Sequence, residues 1–189
     1  MTLLKYKLIN KINFLSCLFY LIPFALLTGP FLPDLILSLI VLIFLALIFS
    51  EKQYQYFQNN FFKFFFIFYL ILILCSFFSV NIFISLQNSI VYIRFILFAL
   101  ATWYVLDRNS SFINNFFFAL IFAFIFALFS GYYQYFTGAN FYGITPADTY
   151  RLTLPFNDRM ILGGYLARLF PLIFALSIIL LSKKNVLYY

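Results

Sequence analysis

Residues 131–171 read GYYQYFTGANFYGITPADTYRLTLPFNDRMILGGYLARLFP, the one long polar interval in a chain that is otherwise apolar. The interval holds Asp148 and Asp158 of the five acidic residues, Arg151, Arg159 and Arg168 of the twelve basic ones, and five of the six glycines. Five apolar runs precede it and a sixth closes it. Their lengths approach or reach the roughly 20 residues a helix needs to cross a bilayer. They lack the charged outer face that a soluble amphipathic helix requires. Only 9% of the 189 residues are charged and 66% are hydrophobic, against about 25% charged in soluble domains. The chain reads as all-α, a polytopic integral membrane helix bundle.

It is read as a single transmembrane domain, 1–189, with spans at about 12–27, 34–49, 61–78, 90–106, 116–133 and 163–181. Residues 134–162 form an external loop. Lys5, Lys7 and Lys11 precede the first apolar run as they would in a signal peptide. No small-residue cleavage site follows, so this run is expected to stay as a helix. Thr28–Asp34 (TGPFLPD) is a turn by its Gly and Pro content, with Asp34 expected to cap the second helix. Glu51–Asn60 (EKQYQYFQNN) is a polar loop, and Ser79–Ser89 a short uncharged re-entrant or interfacial piece. The phenylalanine run from Phe61 to Phe66 is expected to face lipid. Cys17 and Cys75 lie inside apolar spans without ligand-like spacing, which predicts buried, unpaired thiols.

The net charge of +7 does not point to nucleic acid, because the basic residues sit at helix ends rather than along a stripe. They follow the positive-inside bias instead. With both termini cytoplasmic, the inner side holds Lys5, Lys7, Lys11, Lys52, Lys63, Arg108, Lys183 and Lys184. Every lysine is then inside. The opposite side holds Arg94, Arg151, Arg159 and Arg168, all arginines, where the orientation rule disfavours them.

A guanidinium a few residues into a span costs about 2.5–3.5 kcal/mol at full depth on insertion scales. Its planar fork grips phosphate or carboxylate at two points and stays charged. Four such groups near one membrane face suit a diphosphate head group presented from the bilayer. The alternative is that Arg94 and Arg168 snorkel to the interface while Arg151 and Arg159 pair with Asp148 and Asp158. Gly163-Gly164 either admits a neighbouring backbone, turns free N–H groups toward an anion, or simply loosens the start of the sixth helix. Asn157 and Asp158 suit either helix capping or binding of a sugar hydroxyl, and capping is the favoured reading.

Three elements of the interval together resemble a known family: Tyr133-Gln134-Tyr135-Phe136-Thr137-Gly138, then Tyr150-Arg151-Leu152-Thr153-Leu154-Pro155-Phe156-Asn157-Asp158, then Gly163-Gly164-Tyr165-Leu166-Ala167-Arg168-Leu169-Phe170-Pro171. The pattern is similar to the O-antigen ligase and O-antigen polymerase proteins of bacterial envelopes. A Ser-Leu-x-x-Ser-x-x-Tyr-x-Arg stretch, Ser85 to Arg94, adds to it. Leu154 stands where the family usually has glycine. The resemblance covers nearly the whole chain but only the N-terminal half of the family.

It implies a membrane glycan transferase of the bacterial inner membrane, moving a polysaccharide from a polyprenyl diphosphate carrier to a lipid A-core sugar of lipopolysaccharide or to a growing chain. Arg151 matches the family motif best and Arg168 a subset of it; Arg94 and Arg159 are candidates from topology. The implied partners are a polyprenyl-diphosphate-linked glycan, the lipid bilayer and a separate C-terminal half. The family's acceptor-activating histidine, on a later external loop, has no counterpart, since the chain contains no histidine. A truncated, split or degenerate ligase-like protein that binds lipid diphosphate without turnover is therefore the expectation. No metal or cofactor is expected, because isolated cysteines and absent histidine leave no ligand set. The competing reading is a non-enzymatic membrane protein, a small transporter or an assembly partner. Its mid-span positions carry no broken polar helices and its halves no internal repeat, both of which transport would favour.

Overall fold

The computed structural model describes residues 2–146, 151–153, 155 and 161–186. Asp148, Asn157, Asp158 and Arg159 lie outside the described residues. The fold is all-α, with no strand among the described residues: α1 (Thr2–Thr28), α2 (Phe31–Glu51), a 3-10 turn (Tyr54–Phe57), α3 (Asn60–Phe77), α4 (Ile82–Val91), α5 (Ile93–Arg108), α6 (Phe112–Thr137) and α7 (Leu162–Val186). Six segments are long and apolar enough to cross a membrane: Asn10–Thr28, Phe31–Glu51, Asn60–Phe77, Ile82–Arg108, Phe112–Thr137 and Leu162–Ser182. This is a multi-pass membrane protein.

Several boundaries differ from the sequence expectation for identifiable reasons. The α2 helix begins at Phe31, so Asp34 sits in its first turn rather than at its cap. There the carboxylate still complements the positive end of the helix dipole. The uncharged piece at Ser79–Ser89 is largely helical, and α4 runs into α5 through Tyr92, whose carbonyl accepts a tightened bond from Phe95 N–H at 3.1 Å. Serines fasten α4 to α3: Ser76 Oγ lies 2.6 Å from Ser89 Oγ, and Tyr69 OH donates to Ile90 O at 3.3 Å. Such small polar pairs substitute for the hydrophobic drive that helices lose in lipid.

The chain divides into two compact units, Met1–Leu15 with Leu37–Asn109, and Ser16–Ile36 with Ser110–Tyr189. In the first, Phe44 of α2 meets Tyr104 of α5 edge-on at 5.7 Å, and both are buried. Asn59 caps α3 through Oδ1, which accepts from Phe62 N–H at 2.7 Å. Phe61, Phe64 and Phe66 are exposed as expected, while Phe62 stacks on Phe66 at 6.0 Å along the helix.

In the second unit a stripe of Ala123, Ala127, Ser130 and Gly131 runs buried along α6. Small residues at this spacing let helices approach closely. A Cβ on Gly131 would come within 3.0 Å of Leu162 Cδ2, at the start of α7. Of the alternatives for Gly163-Gly164, close approach of a neighbour is not found there; it is found at Gly131. Side chains added at Gly163 or Gly164 would meet nothing within 4 Å. Tyr165 OH ties α7 to α1 by donating to Pro23 O at 2.6 Å. Cys17 and Cys75 are unpaired, but exposed rather than buried, each on the outer surface of its helix.

Candidate functional site

The small-residue stripe of α6 ends in Gln134, whose side chain organises the loop beyond the helix. Its Nε2 donates to Thr153 Oγ1 at 2.9 Å, and its Oε1 accepts from Thr153 N–H at 2.9 Å. Asn140 Nδ2 donates to the same hydroxyl at 3.2 Å. Gln134, Asn140 and Thr153 are 2%, 2% and 1% exposed, so this is a satisfied, dry polar clip. One amide side chain thus replaces the backbone partner a strand or helix would have given Thr153.

The chain reaches the clip through a tight turn. Gly138 ends α6 at φ +78° and donates its N–H to Gln134 O at 2.8 Å, the left-handed cap for which glycine is preferred. Asn140 Oδ1 accepts from the N–H groups of Tyr142 and Ile144, each at 3.0 Å. Phe141, between Asn140 and Tyr142, folds back onto α6 and stacks on Tyr133 at 4.8 Å and on Phe126 at 5.9 Å. Two of the sequence elements that carry the resemblance, the one holding Gln134 and the one holding Thr153, are therefore joined in space.

Arg151 sits two residues before the clipped threonine and is exposed. Leu152 between them is half-buried. It lines an apolar groove of about 190 Å³ with Gly131, Tyr132 and Tyr135 of α6 and Leu162 and Leu166 of α7. An exposed arginine one residue from a leucine that lines an apolar groove is an arrangement that accommodates an anionic amphiphile. A second apolar cavity in the same unit, about 370 Å³, is lined by Phe24, Leu27 and Leu32 with Phe122 and Phe126.

The other candidates fare differently. Arg168 is exposed on α7, roughly a third of a turn around from the face that carries Leu162, Leu166 and Leu169. It is not part of the groove lining. Arg94 is half-buried near the start of α5, with its guanidinium carbon 5.1 Å from the Phe95 ring centre. It belongs to the first unit, whereas Arg151 and Arg168 belong to the second. Arg159 lies outside the described residues. Among the described residues no three His, Cys, Asp or Glu side chains come together as a metal site.

The first unit contains a polar cluster that sequence reasoning misses. Arg108 pairs with Glu51 at 2.5 Å, donates to Tyr104 OH at 2.8 Å and also donates to Gln53 Oε1. Tyr104 OH donates to Glu51 Oε1 at 2.9 Å, and the guanidinium lies 4.3 Å from the Tyr104 ring centre. Tyr56 OH donates to Asp107 at 3.1 Å. Burial, followed by this bond to Asp107, raises the Tyr56 pKa above its ordinary value. The turn that aims Gln53 is strained: Lys52 takes φ 55°, and Gln53 N–H donates to Ile48 O at 3.2 Å. Opposite charges ending two apolar spans, Glu51 and Arg108, are the available signal. Counting Arg108 only as a positive-inside residue conceals it.

Comparison with protein-family models, curated proteins and solved structures finds no match to this chain.

Proposed function

We propose that the chain is the carrier-binding part of an O-antigen ligase-like glycan transfer system in the bacterial inner membrane. In this reading both termini are cytoplasmic and the 134–162 loop faces outward. Arg151 contacts the diphosphate of a polyprenyl-linked glycan, and the groove beside Leu152 receives the first part of its hydrocarbon chain. The observation that supports the proposal is the Gln134–Thr153 clip, which links two motif elements in a segment where exposed Arg151 is followed by Leu152, a residue of the groove lining. A guanidinium there stabilises the charge that develops on the departing diphosphate. Arg159 and Arg168 are proposed as further contacts to the same anion, and Arg94, which belongs to the first unit, is left out of this site.

The acceptor hydroxyl needs a base with a pKa near the working pH. With no histidine in the sequence, that group comes from outside these 189 residues, in a partner C-terminal half. The chain alone therefore binds its carrier and does not turn over.

The test is binding of a short-chain polyprenyl diphosphate to the purified chain in nanodiscs. The expected result is saturable binding that Arg151→Ala weakens about 10- to 100-fold, the range for loss of a hydrogen-bonded charge. Equal affinity for the variant, or for the corresponding polyprenyl alcohol, overturns the proposal.

A further inference from the structure

We infer that Gln134 and Thr153 are positioning residues for Arg151, fixing where its guanidinium is presented without touching the ligand themselves. This rests on the reading of Arg151 as an anion contact. In the clip a single neutral amide holds both the backbone N–H and the hydroxyl of a residue 19 positions away. Two other anchors of the α6-to-loop connection are less directional. The Phe141 stack holds the loop ten residues before Arg151 and is tolerant of sliding. Leu152 packs into the groove through apolar contact. Removing the hydroxyl leaves Gln134 Nε2 and Asn140 Nδ2 buried without their acceptor, which favours release of the segment that bears Arg151.

The side-chain chemistry gives a sharp pair of variants. Thr153→Val keeps the shape and deletes the shared acceptor. Thr153→Ser keeps both the hydroxyl and the N–H and should restore the clip. Gln134→Leu deletes both bonds at once, and the valine and serine pair carries the test if that variant fails to fold.

Two readouts on the full chain in nanodiscs separate positioning from ligand identity. In the first, a nitroxide is placed at position 151 by Arg151→Cys in a Cys17→Ser, Cys75→Ser background, since both native thiols are exposed. A control nitroxide is placed at exposed Phe174 on α7. The expected result is a clear rise in mobility at position 151 with Thr153→Val, none with Thr153→Ser, and no change at position 174. Unchanged mobility at 151 overturns the inference.

In the second, chains with native Arg151 bind the short-chain polyprenyl diphosphate. Thr153→Val should weaken binding about tenfold and Thr153→Ser should restore it. Full affinity in Thr153→Val overturns the positioning role. If the unsubstituted chain binds no polyprenyl diphosphate, the carrier reading falls, while the nitroxide result still decides whether the clip sets the position of residue 151.

Discussion

Each unit contains a polar cluster at the end of its helices, and these two clusters use opposite chemistry. In the first unit the charges are turned inward: Arg108 is shared among Glu51, Tyr104 and Gln53, with Arg108 and Glu51 side chains only 18% and 14% exposed. In the second unit the buried members are neutral, Gln134, Asn140 and Thr153, and the nearby cation, Arg151, is exposed. A guanidinium enclosed by internal partners is architecture. Under the proposed function, Arg151, exposed beside a neutral support, is the arginine that meets an external anion. The difference teaches that arginine count alone does not find a site in a membrane protein; the surroundings of each arginine decide its role.

The comparison breaks most visibly if the charged cluster is not structural. Glu51→Leu would remove the carboxylate partner of a half-buried guanidinium and should destabilise the chain by about 1.5–3 kcal/mol, the range for losing a hydrogen bond to a charged group. Thermal unfolding in detergent reads this directly, and a melting temperature within about a degree of the parent would remove the cluster's structural role. Binding of polyprenyl diphosphate by the surviving folded fraction should be unaffected.

Next in size is a pair of glycine substitutions with opposite signs. Gly131→Leu pushes against Leu162 and should cost about 1–3 kcal/mol by overpacking. Gly164→Ala meets open space inside α7 and should instead stabilise by about 0.5–1 kcal/mol through helix propensity. The same sign for both would mean that α6 and α7 do not meet through Gly131.

Smaller again is the relief at Lys52, where Lys52→Gly removes a left-handed strain of about 1 kcal/mol and should raise the melting temperature. No rise would show that the turn's own contacts already offset the strain.

The least effect is the pH response of Tyr56. Its pKa is raised in the folded state, so folding holds the proton more tightly than the unfolded chain does. The sign follows: the contribution is complete below the ordinary tyrosine value near 10 and is lost as pH rises through the higher folded value. Tyr56→Phe should flatten the alkaline fall in melting temperature, and an unchanged profile would reassign that fall to other groups.

Much of the fold is readable from residue pattern, because bilayer thickness and all-round apolarity leave few alternatives to spanning helices. The six spans follow from that, and Phe64 faces outward as its neighbours in sequence imply. Pairing is not readable in the same way. No periodicity indicates that Gln134 reaches Thr153 across 19 residues, since the loop's path depends on a stack at Phe141 and a left-handed Gly138. Gly163-Gly164 looks like the close-approach site because paired glycines are conspicuous. Gly131, single and inside an apolar helix, is the one that meets a neighbour. For the proposed site, Arg151 is identifiable as a residue in a motif, but the Gln134–Thr153 clip beside it is not.

The most direct test of the account is which lipid occupies the groove in the cell. A photoreactive benzophenone amino acid at position 135, which lines the groove and is 75% exposed as tyrosine, can be crosslinked in intact expressing cells and its adduct identified by mass spectrometry. The account predicts an adduct carrying a polyprenyl diphosphate-linked glycan that disappears in Arg151→Ala. Capture of bulk phospholipid alone, equally with and without Arg151, would contradict it.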